Sequence, residues 1–338
     1  MTDIAVAHAT TPFISAYPWS AGFGTKYANP GALPGTYGLG VAFSPSGADI
    51  AVAHFASPNI SAYPWSAGFG TKYTDPGTLP ASTGYGVAFS PSGADIAVAH
   101  VTTPFVSAYP WSSGFGTKYT NPGALPTGNG RAVAFSPSGA DIAVGHFTTP
   151  FISVYPWSSG FGTKYTDPAT TPTAAAYGVA FSPSGADIAV SHAVTPFIST
   201  YPWSSGFGTK RTDPGTLPAS TGRSVAFSPS GADIAVAHNA APVISVYPWA
   251  SGFGTKYANP GTLPTVNGNG VAFSASGTDI AVAHSATPFV STYPWSAGFG
   301  TKYTDPGILP AGIGRSVAMT ALAAGAPPVP RLLGQEWM

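Results

Sequence analysis

Val41-Ala42-Phe43-Ser44-Pro45-Ser46-Gly47-Ala48-Asp49-Ile50-Ala51-Val52-Ala53-His54 is the stretch on which the fold turns. Val41-Ala42-Phe43 reads as a short strand. Ser44-Pro45-Ser46-Gly47 reads as a turn, because proline presets φ and glycine tolerates positive φ. Residues 49–54 read as a second strand. A short loop ending in Pro58 leads to a third strand over residues 59–63, and Pro64-Trp65-Ser66-Ala67-Gly68 turns the chain. Residues 69–73 form a fourth strand, and a long loop over 74–85, rich in proline and glycine, leads on. No segment carries helical periodicity over ten residues.

The unit recurs along the chain. His8, His54, His100, His146, His192, His238 and His284 are each 46 residues apart. Trp19, Trp65, Trp111, Trp157, Trp203, Trp249 and Trp295 keep the same step, as do Lys26, Lys72, Lys118, Lys164, Lys210, Lys256 and Lys302. Four short strands in a unit of about 40–45 residues is the pattern of a propeller blade. The expected fold is all-β: a seven-bladed β-propeller over residues 1–320, with four antiparallel strands per 46-residue blade. The first copy begins at a second strand, Asp3 to His8, without its own first strand. Arg315-Ser316-Val317-Ala318-Met319 lies one period after Asn269-Gly270-Val271-Ala272-Phe273, so the C-terminal strand is expected to complete the first blade and close the ring. Residues 321–338 continue no repeat, and Pro327, Pro328 and Pro330 cannot extend a strand ladder. This tail is expected to leave the ring and pack through Leu332, Leu333 and Trp337 on the propeller surface or a partner, with a frayed terminus as the alternative.

Twelve basic residues balance twelve acidic ones, and no basic run is present. A nucleic-acid partner is therefore not expected. No apolar run reaches the length of a membrane span, and no basic segment opens the chain as in a secretory signal. There is no cysteine.

The run V-A-F-S-P-S-G, then D-I-A-V-A-H, then P-F-x-S-x-Y, resembles the WD40-like propeller repeat, whose inner strands are joined by a similar S-P-x-G turn. The resemblance covers about 320 residues and implies the propeller fold. The chain departs from that pattern at Ser46, Ser92 and Ser138, where an aspartate is usual, and in ending its third strand on Tyr-Pro-Trp. It also lacks a Gly-His pair before the first strand, so the WD40 hydrogen-bond tetrad is not carried over. The longer pattern, with P-x-x-L-P in the outer loop, resembles repeats of bacteriophage virion and tail proteins.

The seven histidines do not read as a metal site. They sit on separate blades at equal radius, with equivalent atoms roughly 10 Å apart, whereas zinc–nitrogen bonds are about 2.0–2.1 Å. Each is expected to pack between blades and bond a neighbouring loop group. Asp3, Asp49, Asp95, Asp141, Asp187, Asp233 and Asp279 read as turn or strand-start residues, since one carboxylate per blade makes no acid/base pair. The lysines protect an outer edge strand, and the Tyr-Pro-Trp aromatics pack between blades. No cofactor or metal is implied.

Where the copies differ is more informative. The S-P-S-G and P-W-S-x-G turns lie on one face and hardly change. The opposite face varies, both in the short loop after the second strand, such as Phe55-Ala56-Ser57, and at the end of the long loop, two residues before the first-strand valine: Leu39, Tyr85, Arg131, Tyr177, Arg223, Asn269 and Arg315. These seven are expected to rim the channel mouth as a binding site, the alternative being drift in solvated loops. The leading functional expectation is a non-enzymatic virion-type module, virion-borne or extracellular, binding a host-surface glycan or protein or other virion proteins through that face. An intracellular, cytoplasmic WD40-like interaction scaffold is the second reading. An enzyme with its site at the channel mouth is the weakest, because the mouth offers no carboxylate pair and no histidine.

Overall fold

The alternation of D-I-A-V-A-H gives each strand a large side, Ile50 and Val52, and a small side, Ala51 and Ala53, because successive side chains point to opposite faces. The computed structural model, which describes residues 2–320, shows what that difference builds. Seven sheets of three antiparallel strands are arranged as the blades of a ring. Blade II consists of Gly38–Phe43 innermost, Asp49–His54 in the middle and Ile60–Pro64 outside. Blades III to VII repeat it around the middle strands Asp95–His100, Asp141–His146, Asp187–His192, Asp233–His238 and Asp279–His284. Blade I takes its middle and outer strands, Thr2–His8 and Ile14–Trp19, from the start of the chain and its inner strand, Gly314–Met319, from the other end. Val317 faces Val6, and Met319 faces Ile4. Thr320 exchanges two further bonds with Asp3, at 2.8 and 2.9 Å. The ring thus closes as expected. The tail over 321–338 lies outside the described residues.

The fourth strand of each copy is slighter than the sequence pattern suggested. Residues 69–73 run beside the outer strand but are held by only two backbone bonds, Gly70 N–H to Pro64 O at 2.8 Å and Tyr73 N–H to Ala62 O at 2.9 Å, with a single bridge between Trp65 and Phe69. The segment is drawn in so tightly that a Cβ on Gly70 would sit 3.0 Å from the Pro64 ring. Trp65 then meets Phe69 edge to face, with centroids 4.9 Å apart.

Blades stack large face to small face. Ile96, Val98, Tyr109 and Trp111 of blade III pack onto Ala51, Ala53 and Ala62 of blade II, and the same arrangement fills each seam. The aspartates bind adjacent blades, a role their place after a turn did not show. Asp95, at the start of blade III's middle strand, accepts from Tyr119 of its own blade at 2.7 Å and from the Trp157 indole of blade IV at 3.0 Å. The pattern runs round the ring to the Trp19–Asp279 bond at 3.3 Å. In blade V, Arg211 stands in the tyrosine position and forms an ion pair with Asp187.

The histidines end the middle strands and are wholly buried. Their main partner is not a loop group, as expected, but the serine of the adjacent outer strand: His54 Nε2 lies 3.0 Å from Ser61 Oγ, and the other six repeat this. In three blades a loop threonine also meets Nδ1: Thr127 at His146, Thr173 at His192 and Thr265 at His284. Where that loop position is Gly35, Ala81, Ala219 or Ala311, the corresponding Nδ1 of His54, His100, His238 or His8 has no hydrogen-bond partner among the described residues. Burial holds each imidazole at a pKa of about 4, against the pull of nearby carbonyls.

Three outcomes follow from this frame. Asp95→Ala strands a buried indole N–H and a phenol, and should lower stability by about 2–4 kcal/mol in urea unfolding; a change under about 0.5 kcal/mol would deny the aspartate its role in the seam. Ala81→Thr should raise stability by about 1 kcal/mol by giving His100 Nδ1 a partner, and an unchanged urea midpoint would count against that. The unfolded chain takes up protons near pH 6.5 that the folded ring refuses until about pH 4. The histidines' contribution is therefore complete above pH 6.5 and is lost as pH falls toward 4, at up to about 1.4 kcal/mol per pH unit for each. Melting temperature should drop steeply through that window, and a flat profile would refute it.

Candidate functional site

The seven variable positions owe their placement to a backbone irregularity. In blade II, Gly38 pairs with His54 and Gly40 with Ala53, so Leu39 has no partner across the ladder. It is the extra residue of a β-bulge, which turns a side chain out of the normal alternation. Tyr85, Arg131, Tyr177, Arg223, Asn269 and Arg315 occupy the same bulge in their blades. A Cβ on Gly38 would lie 2.3 Å from the Phe13 carbonyl oxygen of the neighbouring blade, which explains the small residue before each bulge. A small residue on either side of the variable position, G-x-G in blades II, III and VII, was the sequence signal for this device, and periodicity alone did not expose it.

The bulges bring all seven side chains to one cavity of about 290 Å³ at the end of the central channel. Below them come Gly40, Gly86, Ala132, Gly178, Ser224, Gly270 and Ser316, then a collar of valines from Val41 to Val225. The second layer is small because inner strands nearly touch: a Cβ on Gly86 would be 3.0 Å from the Ala132 Cα. Leu39, Tyr85, Arg131, Tyr177, Arg223, Asn269 and Arg315 therefore line one cavity. The histidine and tryptophan rings are not part of this cavity. Among the described residues, no three metal-ligating side chains converge anywhere.

The rim is chemically uneven. The Arg131 guanidinium carbon stands 3.9 Å from the Tyr85 ring centre and 5.4 Å from that of Phe147. Arg223 stands 4.6 Å from the Tyr177 ring and donates through Nε to Asn239 Oδ1 at 2.9 Å. Asn269 is tied to Ser285 Oγ at 3.0 Å and to the Gly314 carbonyl at 2.8 Å. Arg315 is exposed. Phe147, Asn239 and Ser285 all come from the first positions of the short loop after the middle strand, and sequence reasoning saw that loop vary without linking it to particular arginines. The cavity lining holds three guanidiniums and, among the described residues, no carboxylate. The seam aspartates begin the middle strands, at the far end from the histidines and the mouth. Such a site offers bidentate donors to carboxylate, phosphate or a polarised carbonyl oxygen.

Neither a protein-family model nor a curated protein matches this sequence. Solved structures do share its fold. A periplasmic gluconolactonase of Pseudomonas aeruginosa is similar over 95% of this chain and 99% of its own, with a TM-score of 0.72 and 14% identity. A Bacteroides uniformis protein assigned as a 6-phosphogluconolactonase is similar over 94% and 99%, with a TM-score of 0.69 and 14% identity. A Desulfotomaculum acetoxidans protein of unknown function is similar over 94% and 99%, at 0.68 and 11%. At these identities the likeness shows the fold. It also corrects two expectations. The resemblance to phage tail repeats finds no counterpart in these neighbours, and the non-enzymatic virion reading gives way, because the named activities among them are those of lactone-opening enzymes.

Proposed function

We propose that the channel mouth is the active site of an enzyme that hydrolyses a small, anionic, sugar-derived lactone. The observation that carries this reading is the convergence of Arg131, Arg223 and Arg315 on one cavity that, among the described residues, is lined by no acid. The reading that ranked last on sequence thus becomes the first. A volume of about 290 Å³ lies at the low end for small-molecule sites and suits one sugar ring, not a polymer. The neighbours named for gluconolactone chemistry support the same class of substrate.

The chemistry asked of the site is electrostatic. Water adds to the lactone carbonyl carbon, and the carbonyl oxygen gains negative charge. A guanidinium in the cavity donates to that oxygen where the charge develops, an interaction worth roughly 10²–10³ in rate per well-placed donor. The ring C–O bond then breaks, its oxygen leaves as a hydroxyl with a proton from the attacking water, and the new carboxylic acid releases its proton to solvent. The tyrosines supply flat faces and hydroxyls for a sugar ring. An extracytoplasmic location goes with this reading, supported by the periplasmic neighbour rather than by any virion likeness. Among the described residues no helix is long and apolar enough to cross a membrane.

The test is proton release at constant pH from glucono-δ-lactone and from its 6-phosphate. The wild type should open the anionic lactone well above the spontaneous rate. The triple variant Arg131→Gln, Arg223→Gln, Arg315→Gln should lose about 100-fold or more while melting normally. No acceleration of either lactone by wild type would remove the proposal.

A further inference from the structure

The three arginines are not equivalent, and the difference assigns them roles. Arg131 and Arg223 each lie over a tyrosine of the preceding blade, at 3.9 and 4.6 Å. Stacking fixes the plane of a guanidinium but leaves its N–H donors free around the edge. Arg131 Nε is buried and, among the described residues, has no hydrogen-bond partner. Arg223 uses Nε on Asn239 and keeps its terminal nitrogens. Only Tyr177 separates the two around the rim, so the two Tyr–Arg pairs follow one another as an arc across blades III to VI. The blade before Arg315 presents Asn269 instead of a tyrosine, and that amide is already bonded to Ser285 and Gly314.

We propose that this arc is a preformed anchor for a phosphate-type dianion, with Arg131 and Arg223 as its two forks and Arg315 outside it. A dianion suits two fixed positive forks better than a monoanion does, and a phosphate monoester carries nearly two charges at neutral pH. Preorganisation favours the arc, because the stacked side chains have little rotamer freedom left to lose, whereas an exposed arginine must be ordered on binding. The anchor rests on the mouth being the site proposed above. In that setting it holds the charge the substrate brings, and Arg315 is left to meet the charge that develops at the carbonyl.

The probe is inorganic phosphate, titrated calorimetrically into the full chain at fixed ionic strength. Arg131→Gln and Arg223→Gln should each weaken binding by about tenfold or more, and Arg315→Gln by less than about threefold. Tyr85→Phe and Tyr177→Phe keep the stacked face and should bind within about threefold of wild type, whereas Tyr85→Ala and Tyr177→Ala should weaken binding several-fold. Each variant's melting temperature is measured alongside, so a misfolded protein is recognised. With the 6-phosphate lactone, the two anchor variants should raise KM, and Arg315→Gln should lower kcat with KM little changed. An equal loss in Arg315→Gln, or no saturable phosphate binding by wild type, overturns the anchor. The predicted binding pattern without lactone turnover would remove only the reaction proposed above; turnover without that pattern would remove only the anchor.

Discussion

Everything in this ring depends on one asymmetric contact, the large face of each blade laid on the small face of the blade before it. Ile and Val point one way from the middle strand and Ala the other, so each sheet is complementary to the next copy and not to itself. Such a head-to-tail interface forms a closed ring only if the rotation per step is right. Two features set that rotation. Near the axis, glycine, alanine and serine let inner strands approach until Cβ atoms would collide. Toward the periphery the wide Trp and Tyr rings hold the blades apart. A wedge results, narrow inside and broad outside.

The aspartate at the start of each middle strand fastens the wedge. It joins a tyrosine of its own blade to a tryptophan of the next, and seven such links leave no blade tied only by apolar packing. Blade V shows the tolerance of the arrangement: an arginine replaces the tyrosine and still reaches the carboxylate. Nearly all acidic side chains are used in this way or in outer-loop pairs such as Lys72 with Asp75. A chain of zero net charge therefore gathers positive charge at its channel mouth, where the described residues place no carboxylate in the lining.

A frame held this firmly frees the bulge residue. Its side chain pairs with nothing in the ladder and turns to the channel mouth instead of into the apolar core of a seam, so its identity can vary without disturbing the stacking of Ile and Val on Ala. One position per blade can change from Leu39 to Asn269 to Arg315 while the backbone stays the same, and all seven changes meet in one cavity. The small residue before the bulge is part of that arrangement. Where Ala176 replaces the usual glycine, Gly145 of the adjacent blade replaces an alanine, and the contact is kept.

The 46-residue period, the strand–turn–strand pattern, the closure by residues 314–319 and the position of the rim were all legible in the chain, because each is a relation within one copy or between copies at equal phase. The weakness of the fourth strand was not, since alternation and turn residues look the same whether a ladder has two bonds or five. The histidines' serine partners were missed for a similar reason: the pattern placed both on strands but did not pair them across the sheet. Relations across a seam were further out of reach. Trp157 lies 62 residues from Asp95, a separation that means nothing until it is known which face of one blade meets which face of the next. The same holds for Arg131 over Tyr85 and Arg223 over Tyr177. The sequence by itself determined how many blades there are, how each is built and which residue varies at its inner end. Only the tertiary structure decided what those residues form together, because stacking direction and ring closure choose the neighbours, and a charge or a ring acts chemically through the neighbours it is given.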